Sequence, residues 1–430
     1  MPVNALLTCL WPFVLLYFRL RAATDGKYAI TWRGRLGLEM PHLGNHPRRL
    51  WVHALSVGET LSAVPLVQAL KAENPSFEIV FSTSTETGRV IARKNLDPHV
   101  TECFIMPLDF PWAVNRLVER VAPRAFVLVE TDVWPNMVNQ CRRRGIPVFL
   151  VNGRISDSSF GKLRWFRRLT KGMFGSLHQV FAQTLTDKAK YELLGVPAGR
   201  VRAAGNLKVD SVLPPLSEKA VAGLRASAGV EPERPVWIAG STHEGEEELL
   251  LQVHERLMVK HPDLLLIVAP REVRRAGELA SAALEHGFAP AFRSRGESAH
   301  GRGVYFLDTL GELSRFYALA RVAFIGGSLV PLGGHNPLEA TAQGKFAVWG
   351  PHLFNFRELE SQLVLAGCGA KVSSGEELEE ILTRFLADAA PGRRAESDAR
   401  RFFAAHTGPS RTIAREILSE WGQGIGEQMP

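Results

Sequence analysis

From residue 49 to residue 372 the chain repeats one pattern: a short apolar run, a polar corner, then an amphipathic segment of helical period. The first series of runs is Leu50–Leu55, Glu78–Ser82, Cys103–Met106, Ala125–Glu130, Pro147–Val151, Gln179–Ala182 and Val201–Ala204. Helical patterns such as Glu59–Glu73 and Trp134–Arg144 lie between them. Near-continuous apolar strands alternating with helices predict a parallel sheet covered on both faces. The pattern lapses at Asp210-Ser-Val-Leu-Pro-Pro-Leu216 and resumes at Pro235. The second series is Val236–Ala239, Leu264–Val268, Ala289–Phe292, Val304–Leu307, Val322–Ile325, Ala347–Trp349 and Ala370–Val372, with helical patterns that include Glu246–Lys260 and Glu312–Leu319. The fold class is therefore α/β, with two doubly wound, Rossmann-like halves. The expected division is an N-terminal segment 1–22, a first domain 23–212 and a second domain 213–430. The tail from Ser397 to Gly422 reads as helical and is expected to pack back across the domains. Ligands of such sheets bind outside the carboxyl ends of the strands, so two facing halves would make a central cleft.

With 430 residues, 46% hydrophobic and 22% charged, the chain is long and apolar enough for two globular cores. Its net charge of +7 favours acidic partners, whether nucleic acid, anionic lipid or a phosphorylated substrate. Cys9, Cys103, Cys141 and Cys368 show neither metal-ligand nor redox spacing, which fits a reducing compartment.

The N-terminus carries no charge from Met1 through Phe18, and Arg19, Arg21, Lys27, Arg33 and Arg35 follow. No basic region precedes the apolar run and no small-residue cleavage site follows it, which argues against a signal peptide. The run is short against the ~20 residues of a spanning helix. It predicts a marginal span or a helix seated in one leaflet, with the remainder on the cytoplasmic side. Trp11 and Tyr17 read as interfacial anchors. A buried helix of the first domain is the plainer alternative.

The polar corners carry the chemistry. Phe324-Ile-Gly-Gly-Ser-Leu-Val-Pro-Leu-Gly-Gly-His-Asn-Pro-Leu-Glu339 reads as a strand, a glycine-rich loop and a helix start. Asn336 suits an N-cap, Pro337 the first helical position and Glu339 a capping-box acid. Glycine loops opening onto a helix favour anionic ligands. Trp51-Val-His-Ala-Leu-Ser-Val-Gly-Glu-Thr60 holds a second such start, where Ser56 and Glu59 form a capping box or Glu59 faces a ligand as a general base. Glu130, Thr131 and Asp132 follow another strand, and Lys208 follows the last strand of the first half. In the second half, Ser241 and Thr242 could donate to a phosphate, Arg271 could pair with an anion, and Asp308-Thr-Leu-Gly-Glu-Leu313 forms one more corner. Each corner alone could be ordinary capping; four in one half form a coherent nucleotide pocket. A basic, aromatic stretch from Arg154 to Lys171 is either a solvated helix with Trp165 and Phe166 turned inward or a contact for phosphate-bearing lipid. No P-loop, G-x-G-x-x-G, G-x-S-x-G, H-E-x-x-H or D-x-D occurs.

Together, W-V-H-A-L-S-V-G-E, E-T-D-x-W-P, G-N-L-K, A-G-S-T-H-x-G-E-E, V-A-P-R, D-T-L-G-E-L, G-G-S-x-x-x-x-G-G-H-N-P-L-E-A and G-P-H-x-F-N-F resemble the 3-deoxy-D-manno-octulosonic acid (Kdo) transferases of lipopolysaccharide synthesis. The resemblance spans nearly the whole chain. It implies a GT-B fold with a short membrane-associated N-terminal helix, and CMP-Kdo as donor. The acceptor would be the lipid A precursor, at the cytoplasmic face of the bacterial inner membrane and its anionic lipids. It implies inverting transfer with release of CMP, no cofactor, no metal and no nucleic acid. Glu59 matches the proton acceptor, and Glu130 and Lys208 the transition-state stabilisers. Pro270 and Arg271, then Gly311, Glu312 and Leu313, then Asn336, Pro337, Leu338 and Glu339 match the CMP-binding segments. The usual N-A-R-L-S appears as Asn152-Gly-Arg-Ile-Ser156, and G-K-P-V as Gly344-Lys-Phe-Ala-Val348. Neither departure is expected to touch a residue assigned chemistry. A nucleotide-sugar epimerase or UDP-sugar transferase, and a non-catalytic membrane scaffold, are the alternatives.

Overall fold

The computed structural model describes residues 2–24, 26–130 and 133–423. The chain divides into two units, Met1–Ser211 with Gly408–Pro430, and Val212–Thr407. Each is built on a seven-stranded parallel sheet.

In the first unit the strands are β1 (Arg49–Ala54), β2 (Glu78–Thr83), β3 (Glu102–Ile105), β4 (Ala125–Val129), β5 (Val148–Gly153), β6 (Gln179–Ala182) and β7 (Val201–Ala203). They lie in the order β3-β2-β1-β4-β5-β6-β7. Leu50, Val52 and Ala54 face one core while Trp51 faces the other, where it packs on Phe126 at 4.4 Å between ring centres. Two buried faces per strand explain runs that read as continuously apolar. The sheet winds outward from β1 through β2 to β3, then restarts on the other side with β4. The neighbours β1 and β4 therefore form a topological switch point, with His53 level with Leu128.

The second unit repeats the plan with β8 (Val236–Thr242), β9 (Leu265–Pro270), β10 (Pro290–Phe292), β11 (Val304–Phe306), β12 (Val322–Ile325), β13 (Phe346–Trp349) and β14 (Gly369–Lys371). Their order is β10-β11-β9-β8-β12-β13-β14, so the switch point lies between β8 and β12, where Gly240 is level with Ile325. Every run expected to be a strand is one, within a residue or two at its ends except at β8, which runs on to Thr242.

The C-terminal tail differs from expectation. It is two helices, Ala390–His406 and Pro409–Gln423, broken where Gly408 takes a φ of 105° and Pro409 follows. The N–H groups of Gly408 and Ser410 both donate to Asp210 at 2.8 Å, pinning the break to the first unit. The last helix packs on the Val57–Glu73 helix and buries Ile413, Ala414 and Ile417. The first unit is thus completed by both ends of the chain.

The N-terminal segment forms a helix, Pro2–Thr24. Among the described residues no helix is long and apolar enough to cross a membrane. Trp11 is half-buried, and its ring meets Phe110 and Trp112 edge-on at 5.0 and 4.7 Å. Phe18 is buried, while Phe13, Leu16, Tyr17 and Leu20 stand exposed at the i, i+3, i+4, i+7 spacing of one helical face.

Candidate active site

At the first switch point the sequence builds a capping box as β1 ends. Glu59 Oε2 accepts the N–H groups of Leu55 at 2.5 Å and Ser56 at 3.2 Å, while Ser56 Oγ accepts from Glu59 N–H. The plainer reading of this motif is therefore realised, and it also fixes the carboxylate at the strand's carboxyl end. Neighbouring β4 is followed by Glu130, which is buried and held at φ 66°. Lys208 Nζ lies 3.4 Å from Glu130 Oε1. Its turn, Leu207–Val209, packs against the helix that Glu59 opens. The fold thus brings Glu130 and Lys208 together and sets Glu59 at the adjacent strand end. Thr131 and Asp132 lie outside the described residues.

Asn152 carries a role the sequence did not reveal. It is the penultimate residue of β5 and lies in the left-handed region, at φ 56°. Its Nδ2 reaches Glu130 Oε1 at 3.4 Å, and its Oδ1 accepts from Leu207 N–H at 3.0 Å. Gln183 ties the Asn152 carbonyl to Asn206, whose Oδ1 accepts from Lys208 N–H. Asn152, which the N-A-R-L-S pattern shares, thus touches Glu130, while the departures lie at Gly153 and Ile155. The departure at Gly153 has a steric account: a Cβ there would stand 3.0 Å from the Tyr191 ring.

At the second switch point β8 ends in Ser241, at φ 56°, and Thr242, whose hydroxyl is buried with no hydrogen-bond partner among the described residues. Thr242 carbonyl accepts from Arg271 N–H at 3.0 Å, which sets the exposed Arg271 beside β8. Ser314 donates to Glu339 Oε2 at 2.5 Å, so the Gly311–Leu313 and Asn336–Glu339 segments meet. Burial raises the Glu339 carboxyl, and Ser314 and Arg271 oppose that rise. Glu339 makes no capping box. Asn336 Oδ1 caps Leu338 N–H at 3.1 Å, and the short helix is Leu338–Ala342. Glu312 is clamped by Arg293 at 2.9 and 3.1 Å, which holds its carboxyl below the usual range. Any contact from Glu312 to a nucleotide would then come from its backbone.

The glycine-rich loop does not present its amides outward. Fully buried Glu246 accepts from Gly327, Ser328 and Leu329 N–H at 2.7, 3.0 and 2.8 Å, and from His243 N–H at 3.1 Å. The anion that this nest selects is the protein's own carboxylate. The only sequence signal was an acid at the start of the Glu247–Met258 helix. The loop also seats His335 against His243, with Nε2 atoms 2.9 Å apart.

Trp165 and Phe166 are 84% and 52% exposed, so they are not turned inward; Phe160 and Leu163 pack on the core instead.

Two seven-stranded parallel sheets, each with polar residues at its switch point, define a GT-B-like fold. A putative UDP-N-acetylglucosamine 2-epimerase from Listeria monocytogenes shares the fold, with a TM-score of 0.58 at 13% identity over 89% of this chain and 97% of that one. The family model of 3-deoxy-D-manno-octulosonic-acid transferase (kdotransferase) matches residues 31–211. The chain is 32% identical to the 3-deoxy-D-manno-octulosonic acid transferase of Haemophilus influenzae, covering 89% of this chain and 90% of that protein. It is 33% identical to the Bordetella pertussis transferase of the same description, covering 90% of each. The chain belongs to the Kdo transferase family.

Proposed function

We propose that the chain moves Kdo from CMP-Kdo to the lipid A precursor, lipid IV-A, with inversion and release of CMP. The observation that carries this reading is the matched pair of switch-point sites: Glu59, Glu130 and Lys208 in one unit, Arg271 and Glu339 in the other. Glu59 takes the proton of the acceptor hydroxyl, whose oxygen attacks the anomeric carbon of Kdo. The bond from that carbon to the phosphate oxygen breaks, and CMP keeps the electron pair. Lys208, oriented by Glu130, stabilises charge that develops in the transfer, and Arg271 pairs with the phosphate of the nucleotide. Pro270, the Gly311–Leu313 backbone and Asn336–Glu339 hold the nucleotide, with Ser241 and Thr242 as further phosphate contacts. No metal ion takes part in this scheme. The N-terminal helix lies on the cytoplasmic face of the inner membrane, its exposed apolar face among anionic lipids.

Glu59→Gln is the discriminating variant. Glutamine still accepts the Leu55 and Ser56 amides, so the capping box survives while the base is lost. General-base help is worth about 10²–10⁴ in rate, and kcat should fall by that factor with the melting temperature unchanged. Transfer from CMP-Kdo at near wild-type kcat would remove Glu59 from this role. Mass spectrometry of the lipid product checks donor, acceptor and number of transfers together. Inhibition by UDP but not CMP would favour a UDP-sugar enzyme instead.

A further inference from the structure

His243 follows β8 and His335 closes the glycine-rich loop, so the switch point itself brings them together. Their Nε2 atoms lie 2.9 Å apart and their ring planes are 7° from parallel. Both rings lie over Gly327, where a Cβ would come within 3.2 and 3.3 Å of them. Neutral imidazoles can share such a bond in one way: one donates Nε2–H and the other accepts it. The donating ring then has a bare Nδ1, and the accepting ring an Nδ1–H. One further proton converts the bare Nδ1 into an N–H and leaves the shared bond intact. The pair therefore has two states, one neutral and one cationic with a second outward donor.

The ionisable groups facing the pair are Arg271 and Glu272 on the turn after β9, Glu246 beneath the His243 amide, and Glu339 within reach of Arg271. Burial first, then Arg271 and His243, push His335 down to about 4, which keeps that ring neutral when the site is empty. An anion docked beside Arg271 offsets the guanidinium charge and favours the cationic state. The buried, unpartnered Thr242 hydroxyl next to His243 marks the same place as polar and unfilled by protein.

We infer that the His243–His335 pair is a proton-coupled receptor for the phosphodiester of the donor, taking up one proton as the nucleotide docks and releasing it as the nucleotide leaves. The inference rests on reading the second unit as the nucleotide site.

The test uses the full chain and cytidine 5′-methyl phosphate, a diester with no proton of its own to gain near neutrality. Calorimetric titration near pH ~7.5, in buffers of different ionisation heat, should show uptake of about half a proton or more per site. Affinity should fall severalfold, up to about tenfold, for each unit of rising pH. His335→Asn should bind the ester without uptake and with a flat pH profile. Nitrogen chemical shifts of the wild-type imidazoles give a readout free of any folding defect: one ring should become an imidazolium on addition of the ester. Cytidine and free Kdo should cause no uptake, and uptake with free Kdo would move the receptor to the sugar carboxylate and overturn the phosphate assignment. Binding of the ester with no proton uptake and unchanged imidazole shifts would overturn the pair's role while leaving the nucleotide site standing. Binding of the uridine ester in place of the cytidine one would instead defeat the reading beneath it.

Discussion

Among the described residues four other than glycine hold positive φ, and three of them lie at strand ends at the two switch points or beside them: Glu130, Asn152 and Ser241. Such backbone costs on the order of 1–3 kcal/mol per residue and persists where surroundings enforce it. At Glu130 and Asn152 the enforcement is visible, since the Asn152 amide bridges Glu130 and the Leu207 N–H. The sequence showed that Glu130 and Lys208 stand at strand ends. It could not show that Asn152 joins them, because the joining bond depends on a left-handed residue that no local pattern announces. Asn152→Asp tests the bridge. Aspartate keeps the acceptor for Leu207 and tolerates the left-handed region, but sets a second carboxylate against Glu130. One of the two carboxylates must then take a proton, so kcat at neutral pH should fall at least tenfold and recover as pH drops toward 5. A kcat–pH profile superimposable on wild type would show that Asn152 supports only the loop.

Most strands were legible because they write two buried faces into three to seven consecutive residues, a local signal. Corners were legible as places but not as contacts. The glycine-rich loop shows why: glycines and a following helix look the same whether the amides hold a ligand or a side chain, and here Glu246, some 80 residues upstream, holds them. The break at Gly408-Pro409 was written in the sequence, yet helical period resumes on both sides and masks it. Four amides, two of them in buried bonds, depend on Glu246, and losing a buried charged acceptor costs roughly 3–5 kcal/mol. Glu246→Ala should therefore lower the stability of the second unit by about that much in urea unfolding. It should also disturb His243 and His335, whose loops it joins. A loss under ~1 kcal/mol would mean that water replaces the carboxylate, and that the nest is open to ligands after all.

For the whole molecule, the proposed setting at a membrane and the response to acid belong to different units. The first unit offers Phe13, Leu16, Tyr17 and Leu20 on one helix face and exposed Trp165 and Phe166 amid basic residues. Replacing Phe13, Leu16 and Leu20 with serine should cut binding to vesicles containing anionic lipid at least tenfold, because three buried apolar side chains are lost from the interface. Equal binding by the triple variant would dismiss this face. In the second unit, His254 is fully buried; its Nδ1 accepts from Trp237 N–H at 3.2 Å and its Nε2 donates to the Gly303 carbonyl at 2.9 Å. Protonation at Nδ1 would break the first bond. Burial pushes His254 down to about 4, the value His335 also takes. A histidine whose folded value lies below its unfolded one near 6.5 gives stability that is whole above pH ~6.5 and lost as pH falls through about 4. The two together are worth a few kcal/mol. Glu339 works in the opposite sense, since its raised carboxyl is relieved of charge as pH falls, but it is a single, partly compensated group. Acid should therefore loosen the second unit across the window from pH ~6.5 to ~4, and His335→Asn, which cannot take a proton, should show a shallower slope. Melting temperature followed against pH for wild type and variant decides it: parallel curves through that window would mean that His335 is no more resistant to protonation folded than unfolded.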